Sequence, residues 1–372
     1  MTTRPDAIIV GAGIVGAACA YYLARHGLQV TVVDSGFVGG GTTAAGMGHI
    51  VVMDDSEAQF ALTAWSQRLL DGLLHTVPED VEFRRTGTLW VAEDEAQLDS
   101  ARRKLAFYTG RGIGAELLDA ARLVEAEPRL RPGLAGGLLV PSDGVVYPPA
   151  VARWLMREAT LAGATVREGA GVTTLRPGSV DTSTGTLEAG CIINAAGISA
   201  PRLTPGLPVT PRKGHLAITE RVPDPCRHQV IELGYLHSAH TMNAASVAFN
   251  VQPRATGQLL IGSSRELVGW DASLNRDVLG RMLDRAIRFM PGLARLPVIR
   301  TWTGFRPATP DSLPLIGAWP AVDRLWIAAG HEGLGITTAL GTGAMLADLI
   351  VGRVPEIDPA PYAPDRALES MK

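Results

Sequence analysis

The sequence predicts an α/β protein of two domains that interrupt one another along the chain. Three observations carry this. A strand, glycine turn, helix and second strand open the chain in "DAIIVGAGIVGAACAYYLARHGLQVTVVD". A further strand, glycine turn and helix close it in "RLWIAAGHEGLGITTALGTGAMLADLI". Between them stand segments such as "HLAITE" and "VAFNVQP", which read as antiparallel strands. Buried parallel strands are continuous apolar runs, whereas antiparallel strands with one wet face alternate. At 372 residues the chain also exceeds what a single core ordinarily organises.

Taken in order, "DAIIV" is the first strand. "IVGAACAYYLARHG" places small and apolar residues at helical spacing and ends at Gly27, a C-terminal cap; "QVTVVD" is a second buried strand. A helical pattern runs roughly from Ser56 to Leu74. "EFRRTGTLWVA" alternates like a half-buried antiparallel strand, and a charged helix follows near Glu93 to Arg111. "GGLLVPSDGVVYPPAVARWLMREATLAG" is strand, turn and a helix opened by Pro148 and Pro149. "TVREGAGVTTL" and "SVDTSTGTLEAGCIINAAG" are strand segments, the last of them buried. From Val209 to about Thr301 the pattern is antiparallel, interrupted by a helix near Asp277 to Met290. This division assigns 1–50, 145–208 and 302–372 to a nucleotide-binding domain, and 51–144 and 209–301 to a second domain.

Composition narrows the function. Hydrophobic residues at 46% and charged residues at 19% suit a globular protein with a sizeable core, and a net charge of −3 offers no basic surface for nucleic acid. No stretch of about 18 apolar residues suggests a transmembrane segment, and the N-terminus lacks signal-peptide architecture. The three cysteines, Cys19, Cys191 and Cys226, have no metal-ligand spacing, so no metal is expected and a reducing, cytoplasmic setting is.

The chemistry begins at the first turn. Gly11, Gly13 and Gly16 form G-x-G-x-x-G between strand and helix. The first permits the turn, the second lets a pyrophosphate approach the backbone, and the third lets helix and strand pack closely. Asp34 closes the second strand, where an acid accepts ribose hydroxyls and disfavours a 2′-phosphate. This much does not separate NAD from FAD. The next stretch does: "SGFVGGGTTAAGMGH" is small enough to close around a long dinucleotide, with Thr42 and Thr43 as phosphate partners and Gly46, Met47 and Gly48 beside a ring. Gly330, Gly333 and Gly335 aim a second helix N-terminus at the same ligand, where it stabilises the negative charge of a reduced flavin.

Together these segments resemble the D-amino acid oxidase (DAO) family of flavoproteins, which includes glycine oxidases, sarcosine oxidases and D-amino acid dehydrogenases. The resemblance is carried by the opening unit, the Gly/Thr loop, "IINAAG", "LLIGSS", "GFRPATPDSLPLIG" and "AAGHEGLGITTALGTGAMLADLI", in family order over nearly the whole chain. "GMGHIVVMDDSEAQFALT" and "FNVQPRATGQLLIGSSRE" are most similar to bacterial D-hydroxyproline dehydrogenases. The resemblance implies a Rossmann-like, glutathione reductase-type FAD-binding domain plus an antiparallel-sheet substrate domain, with FAD extended between them.

By position, Gly11, Gly13, Ile14, Val15, Gly16, Asp34 and Ser35 would hold the adenosine and pyrophosphate. Thr42, Thr43, Ala44, Gly46, Met47, Gly48 and His49 would follow the pyrophosphate and ring. Val172 would meet the adenine through its backbone, with Ala196 and Gly197 near the pyrophosphate. Gly330, Gly333, Leu334, Gly335, Ile336 and Thr337 would lie at the ring's polar edge. Arg306 matches the family's carboxylate clamp, and His49 either contacts substrate or flavin or is a packed histidine. Relatives that tether FAD use a cysteine shortly before "TPD"; Gly304 stands there, which implies non-covalent FAD. Glu332, beside Gly333, reads as an outward-pointing acid, and Lys213 as a surface or interface residue of the β region.

The implied reaction is hydride transfer from Cα of a D-amino acid or cyclic imino acid to flavin N5, giving an imine or pyrroline carboxylate. The best-matching substrates are cis-4-hydroxy-D-proline and D-proline. The alternatives are a glycine/sarcosine-type or general D-amino acid oxidase using O2, and a flavin subunit relaying electrons to partner chains with iron–sulfur clusters or a second flavin. The residues do not identify the electron acceptor.

Overall fold

The opening apolar run becomes the strand Ala7–Val10, buried throughout, at the interior of a six-stranded sheet. A computed structural model describes residues 4–234 and 245–366 of the chain. Across the sheet the order is Leu315–Ala318, Leu325–Ala329, Cys191–Asn194, Ala7–Val10, Val30–Val33 and Thr165–Arg167. Its neighbours are parallel except the edge strand Leu315–Ala318, which runs antiparallel. The helix Ile14–Arg25 follows the first strand, and Gly27 takes φ 85° just past its end, as its capping role requires. This helix packs on both Pro148–Leu161 and Gly335–Ile350. At the second crossing a Cβ on Gly343 would lie 2.6 Å from the Ala18 carbonyl, which explains the small residues of the closing helix.

The second sheet has eight strands, in the order Val298–Ala308, Thr210–Thr219, Leu259–Arg265, Ser246–Pro253, Gln229–Glu232, Thr88–Ala92, Gly136–Val140 and Glu116–Asp119. One junction is parallel, Gln229–Glu232 with Thr88–Ala92; the others are antiparallel. Here "EFRRTGTLWVA" departs from expectation. Only Thr88–Ala92 is strand, and all five of its residues are buried. Leu89 and Val91 join one apolar cluster and Trp90 and Ala92 another, so both faces are covered and no wet face exists to impose alternation.

The strand Val298–Ala308 gave no separate signal in the sequence. It pairs with Thr210–Thr219 along its length and places Arg306 opposite Arg212. The Gly/Thr loop lies on it as a short helix, Gly41–Ala45. Thr42 Oγ1 donates to the Phe305 carbonyl at 2.9 Å, and Trp302 Nε1 donates to the Ala45 carbonyl at 3.3 Å. This seam joins the loop after the parallel strand Val30–Val33 to the edge of the antiparallel sheet.

Candidate active site

A cavity of about 830 Å³ lies between the two sheets. One wall begins at the first glycine turn. Gly11 has φ 110°, and a Cβ there would overlap the Ala195 carbonyl; a Cβ on Gly16 would overlap the Gly11 carbonyl. The helix Ile14–Arg25 starts at Gly13 with no side-chain cap and no acid in its first turn. The helix Gly335–Ile350 starts at Leu334 in the same way. Ile14, Val15, Gly335 and Ile336 all line the cavity, so two positive helix ends whose N-cap residues supply no capping side chain converge on it. Asp34 accepts hydrogen bonds from the Ala12 and Gly36 amides, each at 2.7 Å.

The hydroxyls expected to meet phosphate are partly engaged. Thr42 donates to Phe305, while Thr43 Oγ1 accepts from the Ile14 amide at 3.0 Å. A long concave site lined by backbone, with two helix N-termini and an acid at the strand end, fits an extended dinucleotide.

The other wall is one face of the antiparallel sheet, and it presents side chains. Arg306 lines the cavity and donates through Nη1 to the Ser264 carbonyl at 3.0 Å. Its guanidinium lies over Gly214, where a Cβ would come within 2.5 Å of Nη1. Arg212 and Arg265 flank it and pair with Glu332 at 3.2 and 3.7 Å. Burial alone would raise the Glu332 carboxyl, but Arg265, Arg306 and Arg212 together hold it below its ordinary value. Glu332 is therefore turned inward onto arginines, against the expectation of an outward acid.

His49 lies on the short strand His49–Ile50, paired with Gly144–Val145, and keeps some exposure toward the cavity. Its Nδ1 bonds Gln229 Oε1, and its Nε2 accepts from Asn250 Nδ2 at 3.2 Å. Gln229 Nε2 donates to Thr88 Oγ1, which donates to Asp143 Oδ2 at 2.6 Å. The Val52 amide donates to Asp143 Oδ1 at 3.1 Å. Burial pushes the His49 imidazole down to about 4, against the Gln229 bond and with help from Arg306 and Arg254. It is neutral at neutral pH. Burial pushes the Asp143 carboxyl up to about 7, despite its hydrogen bonds from Thr88 and Val52. His331, also at the cavity, bonds Thr342 at 3.0 Å and is pushed down to about 3 by burial.

Of the residues singled out in the sequence, most meet at this cavity: Gly11, Gly13, Asp34, Ser35, the loop from Thr42 to His49 apart from Ala44, Val172, Ala196, Gly197, Arg306 and 333–336. Four do not line it. Gly16 packs helix on strand, Ala44 is exposed, and Gly330 turns the chain at φ 81° against Thr309. Thr337 instead donates to the His49 carbonyl at 2.8 Å. Lys213 is not at the surface: it is fully buried, with its ammonium 3.3 Å from Glu266 and 3.6 Å from Asp271. Arg212, Arg265, Asn250, Ser263 and Gln229 were missed. The available cue was period-two spacing, which puts Arg212, Gly214 and Leu216, and likewise Ser263 and Arg265, on one face. Among the described residues no His/Cys/Asp/Glu group could hold a metal ion, and no helix is long and apolar enough to cross a membrane.

Comparison with known proteins agrees with this geometry. The DAO family profile, described as FAD dependent oxidoreductase, matches residues 6–349. A glycine oxidase of Geobacillus kaustophilus is 30% identical over 379 residues, covering 98% of this chain and 97% of that protein. A D-amino acid dehydrogenase of Cereibacter sphaeroides is 30% identical over 427 residues, covering 96% and 94%. The crystal structure of glycine oxidase from Geobacillus kaustophilus aligns with a TM-score of 0.87 at 29% identity, over 97% of this chain and 98% of that one. Matched by the family profile from residue 6 to 349 and 30% identical to these relatives over almost its whole length, the chain belongs to the DAO family of FAD-dependent oxidoreductases.

Proposed function

We propose that the protein oxidises the Cα–N bond of an amino or imino acid, and that its substrate is a D-configured cyclic imino acid such as cis-4-hydroxy-D-proline or D-proline. The observation that carries the reading is the Arg306 guanidinium, fixed by Ser264 and Gly214 on the cavity wall of the antiparallel sheet. Segments 1–50, 145–208 and the part of 302–372 that follows the strand Val298–Ala308 would hold the cofactor, with Gly11, Gly13 and Asp34 toward its adenosine and pyrophosphate end; the expected boundary at 302 falls inside that strand, whose residues to Ala308 belong to the antiparallel sheet. Bound FAD supplies the two-electron acceptor for the hydride that leaves Cα.

The remaining work falls to the chain. Arg306 forks onto the substrate carboxylate with two parallel bonds and so orients Cα. Trp90, Ile231 and Leu216 supply apolar surface for a ring. His49, neutral and bonded at both ring nitrogens, adds no positive charge near the amine, which must react unprotonated. The uncapped start of Gly335–Ile350 provides a positive field for negative charge developing in the cavity. All three cysteines are buried and none lines the cavity, which favours non-covalent FAD.

Glycine or sarcosine oxidation with O2 is the second reading, favoured by the glycine oxidase relative. A subunit that passes electrons to partner chains is distinguished by the size of the native complex. The deciding experiment is anaerobic: mix the flavin-loaded protein with D-proline, cis-4-hydroxy-D-proline, sarcosine, glycine and D-arginine, and follow flavin bleaching. Bleaching by the cyclic D-imino acids is expected. Bleaching by glycine or sarcosine alone moves the assignment to the second reading, and bleaching by none of them removes the amine-oxidation assignment.

A further inference from the structure

The cavity wall holds two polar atoms that the mechanism above does not use. Asn250 is 5% exposed and Ser263 is 3% exposed, both line the cavity, and neither Asn250 Oδ1 nor Ser263 Oγ has a partner among the described residues. They stand on adjacent strands, with Asn250 opposite Gly262. Buried polar atoms are otherwise satisfied, so an open acceptor in a ligand cavity marks a place where a ligand donates.

The orientation of the Asn250 amide is not arbitrary. Asp143 accepts from the Val52 amide and from the Thr88 hydroxyl. With its proton committed there, Thr88 must accept from Gln229, so Gln229 turns its amide nitrogen to Thr88 and its oxygen to His49. That oxygen takes the His49 Nδ1–H, which leaves Nε2 as an acceptor, and Nε2 takes the Asn250 amide N–H. With Asp143 ionised each link has one consistent polarity, and the Asn250 amide, with its nitrogen turned to His49, leaves Oδ1 as its atom without a partner at the cavity.

Resting on the amino acid reading of this cavity, we propose that Asn250 Oδ1 accepts an N–H from the substrate's amine, and that the buried series Asp143, Thr88, Gln229 and His49 positions it to do so. A carboxylate or ether oxygen at that point would face another oxygen and be rejected. A neutral primary or secondary amine is accepted, and a single N–H suffices. Asn250 is thus a substrate-recognition residue. Gln229, which does not line the cavity, is a positioning residue.

The test uses ligands that cannot be oxidised at a saturated Cα. Pyrrole-2-carboxylate and furan-2-carboxylate share ring size and carboxylate and differ in N–H against O. Each is titrated into the flavin-loaded protein well above neutral pH, where Asp143 is ionised, and binding is read from the change in flavin absorbance. The wild-type protein should bind the pyrrole about tenfold more tightly. Asn250→Leu should bring the ratio near one while holding furan-2-carboxylate within about threefold, the size expected without that hydrogen bond. Gln229→Leu frees His49 to carry its proton on Nε2, which reverses the Asn250 amide, so the ratio should fall to one or below. Equal binding of both ligands to the wild-type protein overturns the role of Asn250 and leaves the carboxylate site standing. Failure of both to bind removes the carboxylate site, and this proposal with it. Loss of flavin from an Asn250→Leu variant that still unfolds cooperatively places the acceptor against the cofactor and also overturns the proposal.

Discussion

The wall contributed by the parallel sheet lines the cavity with backbone: the Gly11 turn, two helix starts and the glycines of the loop up to Gly48. The wall contributed by the antiparallel sheet lines the cavity with side chains: Arg306, Arg212 and Arg265 in one group, Asn250 and Ser263 in another. A backbone wall tolerates almost no change of shape, because an added carbon has nowhere to go. A side-chain wall tolerates change of shape and fails by change of chemistry. The two walls should therefore break differently under mutation.

The largest effect is expected on the backbone wall. Gly16→Ala forces a Cβ into the Gly11 carbonyl, between a strand and a helix that are both buried. It should cost about 3 kcal/mol or more and release the cofactor, seen as a lower melting temperature and colourless protein. A yellow, stable Gly16→Ala protein would show that the turn relaxes easily and that the contrast is false.

On the other wall, Arg306→Ala should leave flavin bound and the fold intact. Affinity for carboxylate ligands should fall about a hundredfold or more, since two charge-assisted bonds are lost. Titration by flavin absorbance measures this, and simultaneous loss of flavin would place Arg306 on the cofactor instead.

Gly214→Ala sharpens the contrast with the smallest effect. The atoms nearest its Cβ would be those at the end of the Arg306 side chain, which can move. Stability should change by less than about 1 kcal/mol while carboxylate affinity falls about tenfold, because the fork is displaced. An equal loss in both would mean that Gly214, like Gly16, belongs to the packing.

The same difference governs how much was readable in advance. Gly11, Gly13, Gly16 and Asp34 announce themselves because a backbone site needs glycine at set spacings next to a strand end. Arg306 was found only through its resemblance to a family motif. Gln229 was not found at all, since it acts by standing beside Thr88 in a parallel register between strands far apart in the chain. Thr88–Ala92 was misjudged because apolar cover on both its faces comes from other segments.

The sequence alone determined the fold class, the dinucleotide turn with its acid, and the small-residue path from Thr42 to Gly48, because those depend on local backbone freedom and apolar period. Tertiary structure decided which side chains share the cavity: that Arg212 lies opposite Arg306, that Glu332 turns inward, that Lys213 is buried, and that His49 is linked to Asp143 through Gln229 and Thr88. Strand register and the docking of one sheet on another set those neighbours, and neither is a property of any local stretch of chain.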